Sequence, residues 1–412
     1  MTGLGSAPAA LTGTWLGPEA FFPMSPVLPG PDFPGGVRSG LEMYSTRLSA
    51  AEKRETMTVP AIRRPTDSQD EIRHYYSQVL SSSADLKTGA CCAPEELPPG
   101  VRKLVSQVHP EVRERFYGCG VPIPPALEGA TVLDLGCGAG RDAYVLSQLV
   151  GEEGRVIGVD MTPEQLEAAE RHRQWHAESF GHARSNVEFR RGYMEDLADV
   201  GIHDDSVDVV VSNCVFNLSP DKPRLFQEIF RVLKPGGELH FSDVFADRRI
   251  PPDLKRDPVL VGECLAGALY TEDFRRILAG AGCADVRRLS SRPVPLLDPE
   301  IEERIGMVAF SSVTVRAFKL KLEDRCEDYG QVATYLGTVD GRPHVFDLDD
   351  HHRFEAGRPV RVCGNTALML TDSRYGAHFR VQGDRSVHFG LFDCGPEAGG
   401  GSSGNEAAAP CC

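Results

Sequence analysis

Apolar and polar positions along this chain follow two periods, and the switch between them lays out its elements. Thr131-Val-Leu-Asp-Leu135 is a short apolar run of strand character, and Asp142-Ala-Tyr-Val-Leu-Ser-Gln-Leu-Val150 continues with helical spacing. The alternation recurs. Arg155 to Asp160, Val187 to Arg190, Val207 to Asn213 and Leu233 to Asp243 read as further strands. Strands alternating with helices from Val132 to Asp243 predict a parallel sheet. Upstream, Asp67-Ser-Gln-Asp-Glu-Ile-Arg-His-Tyr-Tyr76 opens a helix with a capping-type start. Pro110 suits the first turn of a second helix, which ends at Tyr117-Gly-Cys-Gly120. Downstream the rhythm breaks: Asp253 to Tyr270 is expected to form a helix or lid over the sheet. Thr271-Glu-Asp-Phe restarts a helix, and Asp285 to Leu289 with Val308 to Lys319 should close the sheet as a hairpin.

Residues 326–395 change character. Tyr329 to Phe346 alternates around Asp340-Gly341, a hairpin-turn signal, so a small β-rich accessory module is expected. Residues 1–67, rich in Pro, Gly, Ala and Ser, read as a disordered extension. Residues 396–412 read as a flexible tail ending in Cys411-Cys412. The main domain is then 68–325. At 412 residues the chain has room for a large core and a second module. A net charge of −15 argues against a nucleic-acid partner. No apolar run approaches the ~20 residues of a membrane span, and the N-terminus lacks the pattern of a secretory signal. Twelve cysteines are spread along the chain. Without an export pattern they point to free thiols, soft-ion ligands or redox chemistry rather than to structural bridges.

The chemistry concentrates at Asp134-x-Gly136-x-Gly138-x-Gly140, between the first strand and its helix. Glycines let the backbone lie close to a ligand, and the helix start offers N–H donors. A dinucleotide loop reads GxGxxG; here an acid inside the strand end suits an ammonium group better than a pyrophosphate. Asp160 ends the next strand, where a carboxylate can accept both ribose hydroxyls. This arrangement resembles the S-adenosylmethionine site of class I methyltransferases, α/β proteins with a doubly wound, Rossmann-like sheet. The resemblance assigns Asp134, Gly136 and Gly138 to the methionine end of the donor and Asp160 to its ribose. Met161, Met194 and Glu195 fall to the adenine, while Asn213 borders the sulfonium and Tyr117 lies over the donor.

Three cysteines fall where an acceptor should sit. Cys119 lies in the turn before the first strand, Cys214 directly follows the fourth, and Cys264 lies in the irregular insert. Transfer to oxygen, nitrogen or carbon needs a base or an orienting polar pocket, whereas a trio of thiols suits a soft, thiophilic substrate. Cys137, inside the glycine loop, is expected to face the core; Cys283, Cys326, Cys363 and Cys394 read as structural. The residues leave two alternatives open: methyl transfer to another small acceptor such as a thiol, sterol or quinone, and a non-catalytic zinc- or metalloid-binding protein.

From Ile72 to Cys394 the chain also resembles arsenite methyltransferases of the eukaryotic type. The strings are Tyr75-Tyr-Ser-Gln-Val-Leu80, Asp85-Leu-Lys-Thr88, Arg115-Phe-Tyr-Gly-Cys-Gly120, Leu133-Asp-Leu-Gly-Cys-Gly-Ala-Gly-Arg-Asp142, Val211-Ser-Asn-Cys-Val215 and Val261-Gly-Glu-Cys-Leu-Ala-Gly267. The long extension at 1–67 departs from the shorter start of that family. The resemblance implies that Cys119, Cys214 and Cys264 bind trivalent arsenic. Cys91, beside Cys92 and matched through Asp85-Leu-Lys-Thr, would take part in disulfide exchange. It implies a substrate arriving as arsenite or its glutathione adduct, and an arsenic lone pair that attacks the sulfonium methyl. The products are mono- and dimethylated arsenicals, with a third methylation left open. Protein thiols then reduce the arsenic, and thioredoxin or glutathione resets the resulting disulfide. No metal cofactor is expected, arsenic being the substrate. The implied setting is arsenic detoxification by a cytosolic monomer without nucleic-acid or membrane partners.

Overall fold

The computed structural model of the chain describes Ile72 and residues 97–393, apart from Glu263 and Leu297. The expected N-terminal extension, the helix from Asp67, Cys91, Cys394 and the tail with its cysteine pair lie outside the described residues. Two short helices, α1 (Pro99–Ser106) and α2 (Pro110–Glu114), lead into β1 (Thr131–Leu135). The alternating body runs α3 (Arg141–Val150), β2 (Arg155–Asp160), α4 (Pro163–Arg171), α5 (Arg173–Phe180), β3 (Val187–Arg191), β4 (Val207–Asn213), α6 (Lys222–Val232) and β5 (Leu233–Ala246). It continues through α7 (Pro258–Gly262), β6 (Leu269–Tyr270), α8 (Thr271–Gly280), β7 (Val286–Pro293), α9 (Pro299–Ile305) and β8 (Phe310–Phe318). The C-terminal part holds β9 (Val332–Tyr335), β10 (Val345–Asp347), β11 (Arg353–Glu355), β12 (Pro359–Arg361), α10 (Gly364–Thr371) and β13 (Phe379–Gln382).

Local chemistry explains the boundaries. Pro110 occupies the first turn of α2, and His109 Nδ1 accepts the Glu111 N–H at 3.3 Å as its cap. Asp221 caps α6 by accepting the Arg224 N–H at 3.1 Å. Along α6, Leu225, Phe226, Ile229 and Phe230 form one buried stripe against the sheet. The central strands are apolar on both faces because helices cover both: Val132, Leu133, Leu135, Val209, Val210 and Val211 are all fully buried.

The main sheet has the order β3-β2-β1-β4-β5-β8-β7, with β6 beside β5. The strands from β3 to β5 are parallel, and β8 runs antiparallel to both β5 and β7. This is the expected doubly wound sheet. β1 pairs with β2 on one side and β4 on the other, so the chain winds in opposite directions from it. A crevice opens at the carboxyl ends of β1 and β4, the place where such sheets hold ligands. The closing pair β7–β8 is present, although α9 lies in its connection and makes it longer than a hairpin. The insert after β5 folds as a short 3-10 turn at 254–256, then α7 and β6.

One expectation fails. Gly341 does sit in a turn, with φ +69°, and the Arg342 N–H bonds to Val339 O at 3.0 Å. The flanking strands nevertheless do not pair: β9 lies between β12 and β13, while β10 pairs with β11. The Tyr335 hydroxyl explains the departure. It donates to Arg342 O at 2.7 Å and accepts the Val339 N–H at 3.1 Å, folding this loop over its own ring instead of extending it into a ladder.

Buried charge joins the C-terminal part to the sheet. Arg287 on β7 is paired with Asp285 at 2.6 Å and reaches Asp349 at 3.1 Å, all three side chains being buried. Arg316 on β8 pairs with Glu238 on β5 at 2.8 Å and donates to Leu348 O at 2.7 Å. The Tyr375 hydroxyl donates to Glu238 at 3.0 Å. Burial raises the Glu238 carboxyl, but attraction to Arg316 and Arg374 outweighs it and holds the group well below its usual range.

Candidate functional site

The crevice is built from the glycine loop outward. Gly136 has φ +70°, and a Cβ there would stand 2.4 Å from Val215, so only glycine fits. Gly138 has φ +52°, and a Cβ on it would meet nothing within 4 Å, which leaves open space above the loop. Gly140, at φ +88°, starts α3 and would clash with Phe189 if it carried a side chain. The loop is tied to β2: the Gly136 and Cys137 N–H groups donate to Val159 O at 2.8 and 3.1 Å.

Nine residues expected around the donor all line this cleft: Tyr117, Asp134, Gly136, Gly138, Asp160, Met161, Met194, Glu195 and Asn213. Asp134 is the most telling. It is 3% exposed, and its Oδ2 has no hydrogen-bond partner among the described residues. Burial, with the charges of Asp142 and Asp160 nearby, pushes its carboxyl well above the usual range. A buried, unpaired carboxylate oxygen at the wall of a cleft is what an ammonium group would satisfy. The chemistry of the cleft therefore fits the amino acid end of S-adenosylmethionine.

Asp160 is more engaged than its sequence position suggested. Its Oδ2 accepts the Gly138 N–H at 2.9 Å and its Oδ1 the Thr162 N–H at 2.8 Å. The Thr162 hydroxyl and the Met161 N–H also bond to this carboxylate, so it shapes the loop as well as lining the cleft. Glu195 accepts the Ser219 hydroxyl at 2.5 Å. The Asn213 amide is turned to the backbone of the Cys119 loop: its Oδ1 accepts the N–H groups of Cys119 and Gly120 at 3.1 and 3.2 Å. Its Nδ2 donates to Gly120 O at 2.8 Å and to Asp142 at 3.0 Å. Cys137 faces inward as expected, its thiol pushed well up by burial.

The three acceptor-edge cysteines converge. Cys119 and Cys214 are joined by a disulfide across a Cα–Cα distance of 5.8 Å, and Cys214 lines the donor cleft. The Cys264 thiol donates to Cys214 O at 3.0 Å. All three are at most 1% exposed. Cys214 and Cys264 also hold left-handed backbone, with φ of +60° and +65°. Such conformations cost on the order of 1–3 kcal/mol for a residue with a Cβ and tend to persist at functional positions.

One neighbour was not foreseen from the sequence. A carboxylate oxygen of Asp243, at the end of the parallel run of β5, lies within 4.8 Å of the Cys214 and Cys264 sulfurs. It accepts from the Asn217 amide at 2.7 Å and the Val244 N–H at 2.8 Å, and burial raises its carboxyl to about 7. An acid closing a buried strand, Leu239-His-Phe-Ser-Asp243, was the available signal.

Comparison with known proteins agrees with this geometry. A family described as a methyltransferase domain matches residues 127–282, and one described as the arsenite methyltransferase C-terminal domain matches residues 329–394. An arsenite methyltransferase from Aquipseudomonas alcaligenes is 53% identical over 328 residues, 79% of this chain and 94% of that protein. The arsenite methyltransferase of Homo sapiens is 42% identical over 323 residues, 77% and 85% of the two chains. The crystal structure of an arsenic(III) S-adenosylmethionine methyltransferase from Chlamydomonas reinhardtii superposes with a TM-score of 0.70 at 52% identity, covering 72% of this chain and 99% of that one. The chain belongs to the arsenite methyltransferases, and it is an S-adenosylmethionine-dependent enzyme that methylates arsenic.

Proposed function

We propose that the reduced thiols of Cys119, Cys214 and Cys264 hold As(III) as a trithiolate at the edge of the donor cleft. The observation that carries this reading is the meeting of three buried sulfurs beside a cleft wall that Cys214 itself forms. Arsenic bound by three thiolates keeps a lone pair, so the acceptor needs no general base once exchange has removed the thiol protons.

Asp134 would hold the amino group of S-adenosylmethionine, Asp160 its ribose, and Met161, Met194 and Glu195 its adenine, with Tyr117 over the donor. Bound there, S-adenosylmethionine supplies an electrophilic methyl group. The chain's own contribution is placement. Orientation of two reactants is worth roughly 7–11 kcal/mol of barrier, and the glycine loop after Asp134 and the loop carrying Cys119 are both pinned by side-chain-to-backbone hydrogen bonds.

Methylation leaves arsenic formally pentavalent. Two protein thiols return it to As(III) by giving up two electrons and closing one disulfide. The Cys119–Cys214 bond is one such oxidised state, and it removes two of the three arsenic ligands. Exchange with one thioredoxin dithiol or two glutathione thiols, which leave as the disulfide, must then reopen it, and Cys91 is the residue proposed to relay that exchange. Mono- and dimethylated arsenicals are the proposed products, in a cytosolic, monomeric enzyme. Among the described residues no helix is long and apolar enough to cross a membrane.

The test is incubation of the full chain with arsenite, S-adenosylmethionine and thioredoxin or glutathione, followed by speciation of the arsenic. Methylated products that accumulate over several turnovers only with the reductant support the scheme. Equal turnover without any thiol would overturn it. A narrower expectation concerns Asp160→Ala: by losing the ribose acceptor and the Gly138 anchor together, it should weaken S-adenosylhomocysteine binding about 10- to 100-fold. Titration calorimetry checks this, and unchanged affinity removes Asp160 from the donor site.

A further inference from the structure

We propose that Arg292 and Ser312 are positioning residues for the acceptor site, clamping the Cys119 carbonyl so that its thiol meets those of Cys214 and Cys264. The proposal rests on the trithiolate reading above.

Cys119 sits in a stretch without regular structure, so nothing periodic fixes it. Its backbone is held instead by side chains from remote strands. Ser312 Oγ donates to Cys119 O at 2.9 Å, and Arg292 Nη2 donates to the same oxygen at 3.1 Å. On the other side, Asn213 Oδ1 accepts the Cys119 N–H. The peptide groups on both sides of one Cα are thus gripped, which leaves the thiol little freedom beyond its own rotamer. The approach is close: a Cβ on Gly118 would come within 2.7 Å of the Asn213 side chain and 2.0 Å of Phe116.

Arg292 and Ser312 face each other across the β7–β8 ladder, so one cross-strand pair supplies both donors. Ser312 lies opposite Val244 in β5, next to Asp243. The register of three strands therefore sets where the Cys119 carbonyl is held relative to the other two cysteines. The same two strands carry Arg287 and Arg316, whose buried contacts with Asp349 and Leu348 O dock the C-terminal module. That module reaches the acceptor site through β7 and β8.

A merely structural role would satisfy a buried carbonyl and nothing more. The two roles separate in kinetics. In the full-length enzyme, Ser312→Ala and Arg292→Gln should each lower arsenite kcat/KM by about 2- to 10-fold, with S-adenosylhomocysteine affinity at the wild-type value. Ser312→Thr, which keeps the hydroxyl, should restore most of the loss. Arg288→Gln, on the same strand as Arg292, removes an ion pair with Asp350 in the C-terminal part and should leave the arsenite kinetics unchanged. Wild-type arsenite kcat/KM in Ser312→Ala or Arg292→Gln, at whatever melting temperature, overturns the clamp. Should Ser312→Ala fail to fold, the partly exposed Arg292 and its Gln variant still decide the matter. Failure of the underlying reading looks different: Cys119→Ser would then retain activity. If Cys119→Ser is inactive while the clamp variants are unaffected, only the clamp is wrong.

Discussion

Cys119→Ser is expected to lose arsenite methylation by roughly 10²-fold or more while binding S-adenosylhomocysteine as the wild type does. The substitution is nearly isosteric and removes only the soft donor atom. Serine cannot form the disulfide with Cys214, and its oxygen is a poor partner for a thiophilic centre. The loop should stay in place, because its anchors are to the backbone: Asn213 to the Cys119 N–H, Ser312 and Arg292 to the Cys119 carbonyl. Two independent readouts are available. Initial rates of arsenic methylation report the acceptor site, and calorimetry with S-adenosylhomocysteine reports the donor site. Wild-type methylation by this variant would end the trithiolate scheme.

Asp134→Asn is expected to weaken donor binding about 10- to 100-fold, the effect of losing a hydrogen bond to a charged group, with little change in fold. The change in shape is small, so a loss of affinity reports charge. The carboxyl is raised far above its ordinary range by burial and by the Asp142 and Asp160 charges, partly offset by Arg141. Where the free enzyme holds Asp134 protonated, binding an ammonium group must displace that proton. Donor affinity should then fall as pH is lowered, and binding should release protons to the buffer. Calorimetry in two buffers of different ionisation enthalpy measures that release directly. Asp134→Asn should abolish it; persistence of the same proton release in the variant would remove Asp134 from the amino group.

The parts of this molecule that were legible in the sequence are those whose signals are local. β1, β2 and β4 announce themselves through apolar runs, and the glycine loop through positions that need positive φ or lack room for a Cβ. The three acceptor-edge cysteines are scattered over 145 positions from Cys119 to Cys264; their places at strand ends and in the insert grouped them, and the resemblance supplied the proposed ligand. What escaped was long-range. Asp340-Gly341 has the chemistry of a hairpin turn, yet strand pairing depends on partners as distant as Phe379 to Gln382. The clamp on Cys119 comes from residues 173 and 193 positions downstream, with no pattern in the intervening chain to mark it. Asp243 looked like the last residue of a strand, and only the packing of the insert brings Cys264 beside it.

The ionic seam between Glu238, Arg287, Arg316 and the C-terminal part carries a thermodynamic corollary. Stripping away the partners of a buried charge costs about 3–5 kcal/mol, so neither half can melt while the other stays native. Heating should give one cooperative calorimetric transition rather than two, and a chain cut short at residue 325 should be insoluble or molten, because Arg287 loses Asp349 while Glu238 loses Arg374 and Tyr375.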